Sequence, residues 1–146
     1  MLEADTLPAN KIFIKNLIEP FVTSKSNNIG LTYGEAIPLQ PKDFFEKIMY
    51  FKTDFKKRAF QNAIGKNRLH GCSGHKGRAF SKSFAQKIYW PNDAPEDTYS
   101  FLLCNKMGYE IVNASKAKIY YRLPGNFKDY YRQYTKFIRG RQALIK

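Results

Sequence analysis

Cysteine is scarce: the chain has only Cys72 and Cys104 in 146 residues. They stand too far apart for the short spacing that a structural zinc site or a dithiol redox centre needs. Both are expected to be buried, reduced thiols of a cytoplasmic protein. Long apolar runs are missing too. No stretch approaches the roughly 20 residues required to cross a bilayer, and the amino terminus lacks the basic-then-apolar pattern of a secretory signal. The expected location is therefore the cytoplasm, in solution or at the cytoplasmic face of a membrane. Internal repeats and low-complexity segments are absent as well, which excludes a solenoid. Acids are few, 12 Asp or Glu against 25 Lys or Arg, and the resulting +13 implies an electropositive face. Such a face attracts nucleic acid, anionic lipid or a diphosphate-bearing ligand, and charge by itself does not choose among them.

What is present is enough for one domain with a real core: 43% of the residues are hydrophobic and 16% aromatic, dominated by Phe and Tyr. Phe13, Leu17, Ile18 and Phe21 recur at helical spacing after Asn10, predicting a helix over 11–21 with Asn10 as N-cap. Residues 29–33 and 36–39, separated by Gly34-Glu35, read as two short extended segments. Pro41-Lys42 opens a longer helix. Its apolar face, Phe44, Phe45, Ile48, Met49 and Phe55, is expected to cover one side of a sheet. Residues 71–78 hold too many glycines for a regular element and read as a loop near a ligand, with Ala79-Phe80 entering a strand. Asp93-Ala94-Pro95-Glu96 has the form of a capping box, and the helix it opens ends at Gly108. Residues 111–112 and 118–121 look like strands, and 126–144 like a terminal helix. Residues 116–146 contain nine Lys or Arg and one acid, so this tail holds +8 of the +13. Its mixture of cations with Tyr130, Tyr134, Phe137 and Ile138 suits the headgroup region of an anionic membrane surface.

Three groups carry chemistry. Glu3-Ala4-Asp5 sets two carboxylates either side of a small residue, an arrangement able to hold a hard divalent cation against a diphosphate. Glu96-Asp97 at a helix start could take a proton from an attacking hydroxyl. Gln133, Lys136 and Phe137 offer an amide, a cation and a ring within about one and a half helical turns, suited to phosphate and sugar. Each has a plainer alternative: two solvated acids near a chain end, a helix cap, and the solvated face of a basic helix.

Their order is more specific than any one of them. Leu2-Glu3-Ala4-Asp5-Thr6-Leu7-Pro8 comes first, then His70-Gly71-Cys72-Ser73-Gly74 leading to Ala79-Phe80-Ser81-Lys82. Pro95-Glu96-Asp97-Thr98 follows with Gly108-Tyr109-Glu110-Ile111, and last come Tyr121-Arg122-Leu123-Pro124 and residues 133–141. This series resembles the family 2 glycosyltransferases, in particular the polysaccharide-synthase-like members with D-x-D, E-D and Q-x-x-R-W motifs, and it spans nearly the whole chain. The resemblance implies an α/β fold corresponding to part of the GT-A (nucleotide-diphospho-sugar transferase-like) fold, a mixed sheet flanked by helices. It implies that Asp5, with Glu3, helps hold Mg²⁺ or Mn²⁺ against the diphosphate of a nucleotide-sugar donor. By the same likeness Asp97 is the catalytic base and Glu96 its partner, while Gly74, His75, Gln133, Lys136 and Phe137 lie beside donor and acceptor. The acceptor implied is a glycan or a lipid-linked sugar.

The sequence departs from the family pattern in four places. Glu3 replaces the first Asp and lengthens that ligand by a methylene. Lys136 replaces Arg and Phe137 replaces Trp, which keeps charge and aromaticity but loses the bidentate fork and the indole N–H. The chain also opens at the metal motif, where the family has a nucleotide-binding half. A single partial domain is thus expected, 1–10 carrying the metal motif, 11–115 the acceptor-side core and 116–146 the basic aromatic tail. A sheet without its first strands would expose edges and an apolar face. Rival readings are a basic nucleic-acid-binding module, for which the interleaved tyrosines and lysines of 116–141 argue, and a non-catalytic acceptor-half subunit. Calorimetry provides the first test: the chain by itself is expected to show no measurable affinity for a uridine diphosphate sugar. Metal-dependent micromolar binding would mean that a donor pocket had been assembled from residues read here as acceptor side.

Overall fold

The computed structural model describes residues 6–63, 76–91 and 95–143, with the backbone alone at 57, 59–63, 141 and 143. It is an α/β structure. The chain runs β1 (Thr6–Pro8), α1 (Phe13–Thr23), β2 (Ile29–Pro38), α2 (Phe44–Ala63), β3 (Arg78–Phe80), α3 (Lys82–Ala85), α4 (Glu96–Lys106), β4 (Glu110–Tyr121) and α5 (Phe127–Ala143). The sheet is mixed, in the order β1-β4-β2-β3: the central pair β2 and β4 is parallel, and each edge strand is antiparallel to its neighbour.

Successive residues of a strand face opposite sides, and the side chains of β2 show it. Leu31 packs with Phe84 of α3 and Cys104 of α4 in one cluster. Thr32 points the other way, where its buried hydroxyl donates to the carbonyl of Leu17 in α1 at 2.7 Å. Beside that bond Phe13 and Leu17 pack on Ala114, Ala117 and Ile119. The two apolar clusters therefore lie on opposite faces of the sheet, α1 covering one and α3 with α4 the other.

Two pairs of expected short strands are in fact single strands. Gly34-Glu35 does not break β2. It marks the place where the register changes: Gly34 pairs with Ala114, and Glu35 with Lys118. The extra residues 115–117 of β4 arch over β2, and they fit because position 34 has no side chain. A Cβ there would lie 2.5 Å from the Ala117 carbonyl oxygen and 3.3 Å from the Phe13 ring. The arch is tied down from α1, where the Asn16 amide donates to the Lys116 carbonyl at 3.0 Å and Glu19 pairs with Lys116 at 3.5 Å.

The short α3 is unexpected from the sequence; the other described helices occur close to where periodicity puts them, with three corrections. Helix α1 starts at Phe13 with Ile12 as N-cap, and Asn10 contributes its backbone carbonyl to the Phe13 N–H instead of a side-chain cap. Helix α4 starts at Glu96 with Pro95 at the N-cap. Glu96 thus opens the helix and does not stand at the third position that a capping box requires; Asp93 lies outside the described residues. The largest correction concerns α2. Asp43 accepts the Glu46 N–H at 2.8 Å, and the buried Glu46 side chain accepts the Lys42 N–H at 2.7 Å and pairs with Arg122 at 3.2 Å. This ion pair turns Glu46 and Met49 inward, so Phe44, Ile48 and Phe55, expected on the sheet, face solvent together with Phe51.

The close approach at Gly34 supplies a stability test. In Gly34→Ala the new methyl meets backbone, which has no rotamer by which to withdraw, so the arch of β4 must lift; overpacking of this kind destabilises by about 1–3 kcal/mol. Urea unfolding is expected to show a lower midpoint with an unchanged slope, and an unaltered midpoint would show the arch to be free to relax.

Candidate functional site

The first turn of α4 holds the two acids. An α-helix leaves its first N–H groups without intrahelical partners, and carboxylates there are favoured by those groups and by the macrodipole. Glu96 is exposed. Asp97 is partly buried, and its Oδ1 accepts the Thr98 N–H at 2.7 Å. The following turn is fixed from below: Thr98 and Ser100 are buried, and the Ser100 hydroxyl donates to the Asp97 carbonyl at 3.1 Å.

That same hydroxyl accepts Nη1 of Arg78 at 2.9 Å. Arg78 is the first residue of β3 and is 97% buried, with 3% of its surface exposed. A buried guanidinium is tolerated only where its donors are hydrogen-bonded, and here one of them joins the exit of the glycine-rich segment to the acid-bearing turn. Gly77, immediately before it, has φ 78°, a backbone conformation that glycine reaches without strain, and its carbonyl accepts the Gly34 N–H at 3.0 Å. One residue earlier, Lys76 stands 5.3 Å from the centre of the Tyr121 ring. Burial raises the Tyr121 phenol above its ordinary value, against the opposing charge of Lys76. Tyr121 is in turn the register partner of Thr6, which follows Asp5 in the chain. The segment 76–78 is thus a junction between the end of β4, the start of β1 and the first turn of α4.

A group of aromatic rings includes Tyr99 of α4. The Tyr99 ring, two residues after Asp97, lies 6.0 Å from the Trp90 ring, which is 6.1 Å from Phe80. Trp90 remains 39% exposed, so part of its surface is open to a ligand. In the cluster with Leu31 and Phe84, Cys104 is fully buried and its thiol is pushed up to about 12 by desolvation, which leaves it no nucleophilic thiolate at neutral pH.

The residues picked out from sequence fall into three sets. Glu96 and Asp97 share the first turn of α4. Gln133, Lys136 and Phe137 share one face of α5, with Phe137 half-buried and the other two exposed. Glu3, Asp5, Gly74 and His75 lie outside the described residues, and among the described residues no group of His, Cys, Asp or Glu could hold a metal ion. Helix α4 packs on β4 and β2, whereas α5 makes no extensive packing with another element among the described residues. The acids and the α5 group are thus carried by differently supported parts of the fold. Sequence reasoning missed Arg78, Ser100 and Trp90. The available signal was an arginine at the head of an apolar strand, where a charge needs a partner.

Comparison with known protein families, curated proteins and solved structures finds no match to this chain.

Removing the hydroxyl that joins β3 to α4 tests the junction. Ser100→Ala takes a partner from a buried guanidinium, and such losses cost about 1–3 kcal/mol. A lower thermal midpoint is expected, together with faster amide exchange at Thr98 and Tyr99. If exchange at the start of α4 stayed at its wild-type rate, Arg78 would not be what holds that turn.

Proposed function

We propose that this chain carries the acceptor side of an inverting, metal-dependent glycosyltransferase of family 2, on part of a GT-A fold, with a nucleotide-diphosphate sugar as donor and a glycan or lipid-linked sugar as acceptor. The first support is one arrangement. The backbone carbonyl of Asp97 is bonded through Ser100 to Arg78, at the exit of the glycine-rich segment, and the same three-residue exit reaches, through Lys76 and Tyr121, the pairing of β4 with β1. The order of the motifs along the chain, which resembles that of the family, is the other support.

In this reading Asp97 does the proton work. Its carboxylate sits at a helix start, where Oδ1 accepts the Thr98 N–H, and it is the group that receives the proton of an acceptor hydroxyl. As the hydroxyl oxygen attacks the anomeric carbon, the proton passes to Asp97 and the nucleoside diphosphate departs from the opposite face, which inverts the configuration. Trp90 and Tyr99 supply apolar surface against which a sugar ring stacks. Asp5 with Glu3 would hold Mg²⁺ or Mn²⁺, whose chemistry is to neutralise charge on the departing diphosphate. Gln133, Lys136 and Phe137 contact donor phosphate and acceptor from α5.

Asp97→Asn is the decisive substitution, assayed in a protein that includes a donor-binding half. Asparagine is isosteric and still accepts the Thr98 N–H, so thermal stability is expected to hold. The amide cannot take the proton, and turnover is expected to fall by roughly 10²- to 10⁴-fold with donor affinity little changed. Glu96→Gln, at an exposed position, is expected to lose less. Near-normal turnover in Asp97→Asn, or a loss that tracks unfolding, would return the pair to the role of helix cap.

A further inference from the structure

Helix α2 carries an apolar stripe on the side turned away from the fold. Phe44, Ile48, Phe51 and Phe55 follow the spacing i, i+4, i+7, i+11, which at roughly 3.6 residues per turn is one line along the helix. They are exposed by 79%, 49%, 72% and 65%. Glu46 and Met49, which face inward, occupy the opposite side. Helix α5 repeats the pattern: Phe127, Tyr131, Tyr134 and Ile138 have the same spacing, and all four are exposed. Monomeric proteins rarely leave such rows uncovered, and paired rows on two helices mark an interaction surface.

The two rows belong to one surface. Arg122, just before α5, pairs with Glu46 in the first turn of α2, and further along Lys52 of α2 donates to the Tyr130 hydroxyl of α5 at 2.5 Å, with its ammonium 4.5 Å from the ring centre. Both links advance together along the two helices, so the helices leave their common anchor in the same general direction. Lys52 and Tyr130 each flank a stripe, one on either helix, and their contact sets the stripes edge to edge.

Cations frame this surface on its outer borders. Helical spacing puts Lys47 and Arg58 along the free border of the α2 stripe and Lys128, Arg132 and Arg139 along the free border of the α5 stripe. The two helices together hold ten Lys or Arg and three acids, and two of those acids are committed to ion pairs, Glu46 with Arg122 and Asp54 with Arg58. Protein interfaces are depleted in lysine around their centres. Phe, Tyr and Ile in a row bordered by long cationic side chains match instead the boundary of a bilayer, where rings enter the acyl region and ammonium groups reach back to phosphates. No helix among the described residues is long and apolar enough to cross a membrane, so this surface would lie on the bilayer.

We propose that α2 and α5 together form a docking surface for an anionic lipid bilayer, lying flat on it with both stripes inserted at the headgroup level. The proposal uses none of the residues assigned to glycosyl transfer and stands or falls apart from that reading.

Sedimentation with vesicles tests it, using phosphatidylcholine alone and an equimolar mixture of phosphatidylcholine and phosphatidylglycerol. The wild-type chain is expected to bind the mixed vesicles at least about tenfold more tightly at low salt, as a polybasic surface should. The double variant Phe51→Ser, Tyr134→Ser, altered at two exposed positions, is expected to lose roughly tenfold or more of that binding with an unchanged thermal midpoint. In Phe51→Trp the emission is expected to be quenched by brominated acyl chains beyond the signal of Trp90 in the wild type. Equal binding to both vesicles would overturn the proposal, as would a double variant that binds like the wild type or a Phe51→Trp signal with no added quenching. So would a dimer in sedimentation equilibrium that Phe51→Ser dissolves, or single-stranded RNA binding that depends on Phe51 and Tyr134 in the absence of vesicle binding.

Discussion

The parallel pairing of β2 with β4, and above all the approach of the two backbones at Gly34, is the constraint on which the rest of this structure depends. Parallel strands cannot be joined by a tight turn, so residues 39–109 form a long crossover from β2 to β4, adding the edge strand β3 on the way. Much that carries chemistry or contact lies in that excursion: α2, the glycine-rich segment, β3 and the acid-bearing α4. The arch of 115–117 over Gly34 then sets the register of the second half of β4. Through that register it sets Tyr121 opposite Pro38, and on its other side Tyr121 meets Thr6 at the start of β1.

Built on this frame, the junction at Lys76-Gly77-Arg78 shows how a charged residue can serve as structure. Arg78 is buried in the layer between sheet and helix, a position normally held by an apolar side chain. Its bond to Ser100 directs the start of α4 toward the sheet, while the Asp97 side chain is kept by its own backbone neighbour, Thr98.

Local pattern revealed the longer helices through apolar spacing and recognisable ends, such as Gly108 with φ 76° after α4, but not the four-residue α3. It also indicated the α/β class. It failed where the deciding contact was distant in sequence. Gly34-Glu35 read as a break because glycine commonly ends strands, whereas its function is to admit a carbonyl from residue 117. The apolar stripe of α2 was assigned to the core by periodicity alone. Periodicity reports that a helix has two faces, and it took the Glu46–Arg122 pair, 76 residues apart, to decide which one turns inward. Of the site, the acids of α4 and the group on α5 were legible as motifs. Arg78 and Ser100 were not, since neither residue type advertises a role until the partner is seen. Glu3, Asp5, Gly74 and His75 fall outside the described residues.

The sheet edges are β1 and β3, each only three residues long. A strand that short offers too few free N–H and C=O groups to template another chain, and Pro8 withholds a donor from one of them. Backbone pairing between molecules therefore finds little purchase at these edges. A chain this aromatic is thereby protected from growing into cross-β fibres by the brevity of its outermost strands.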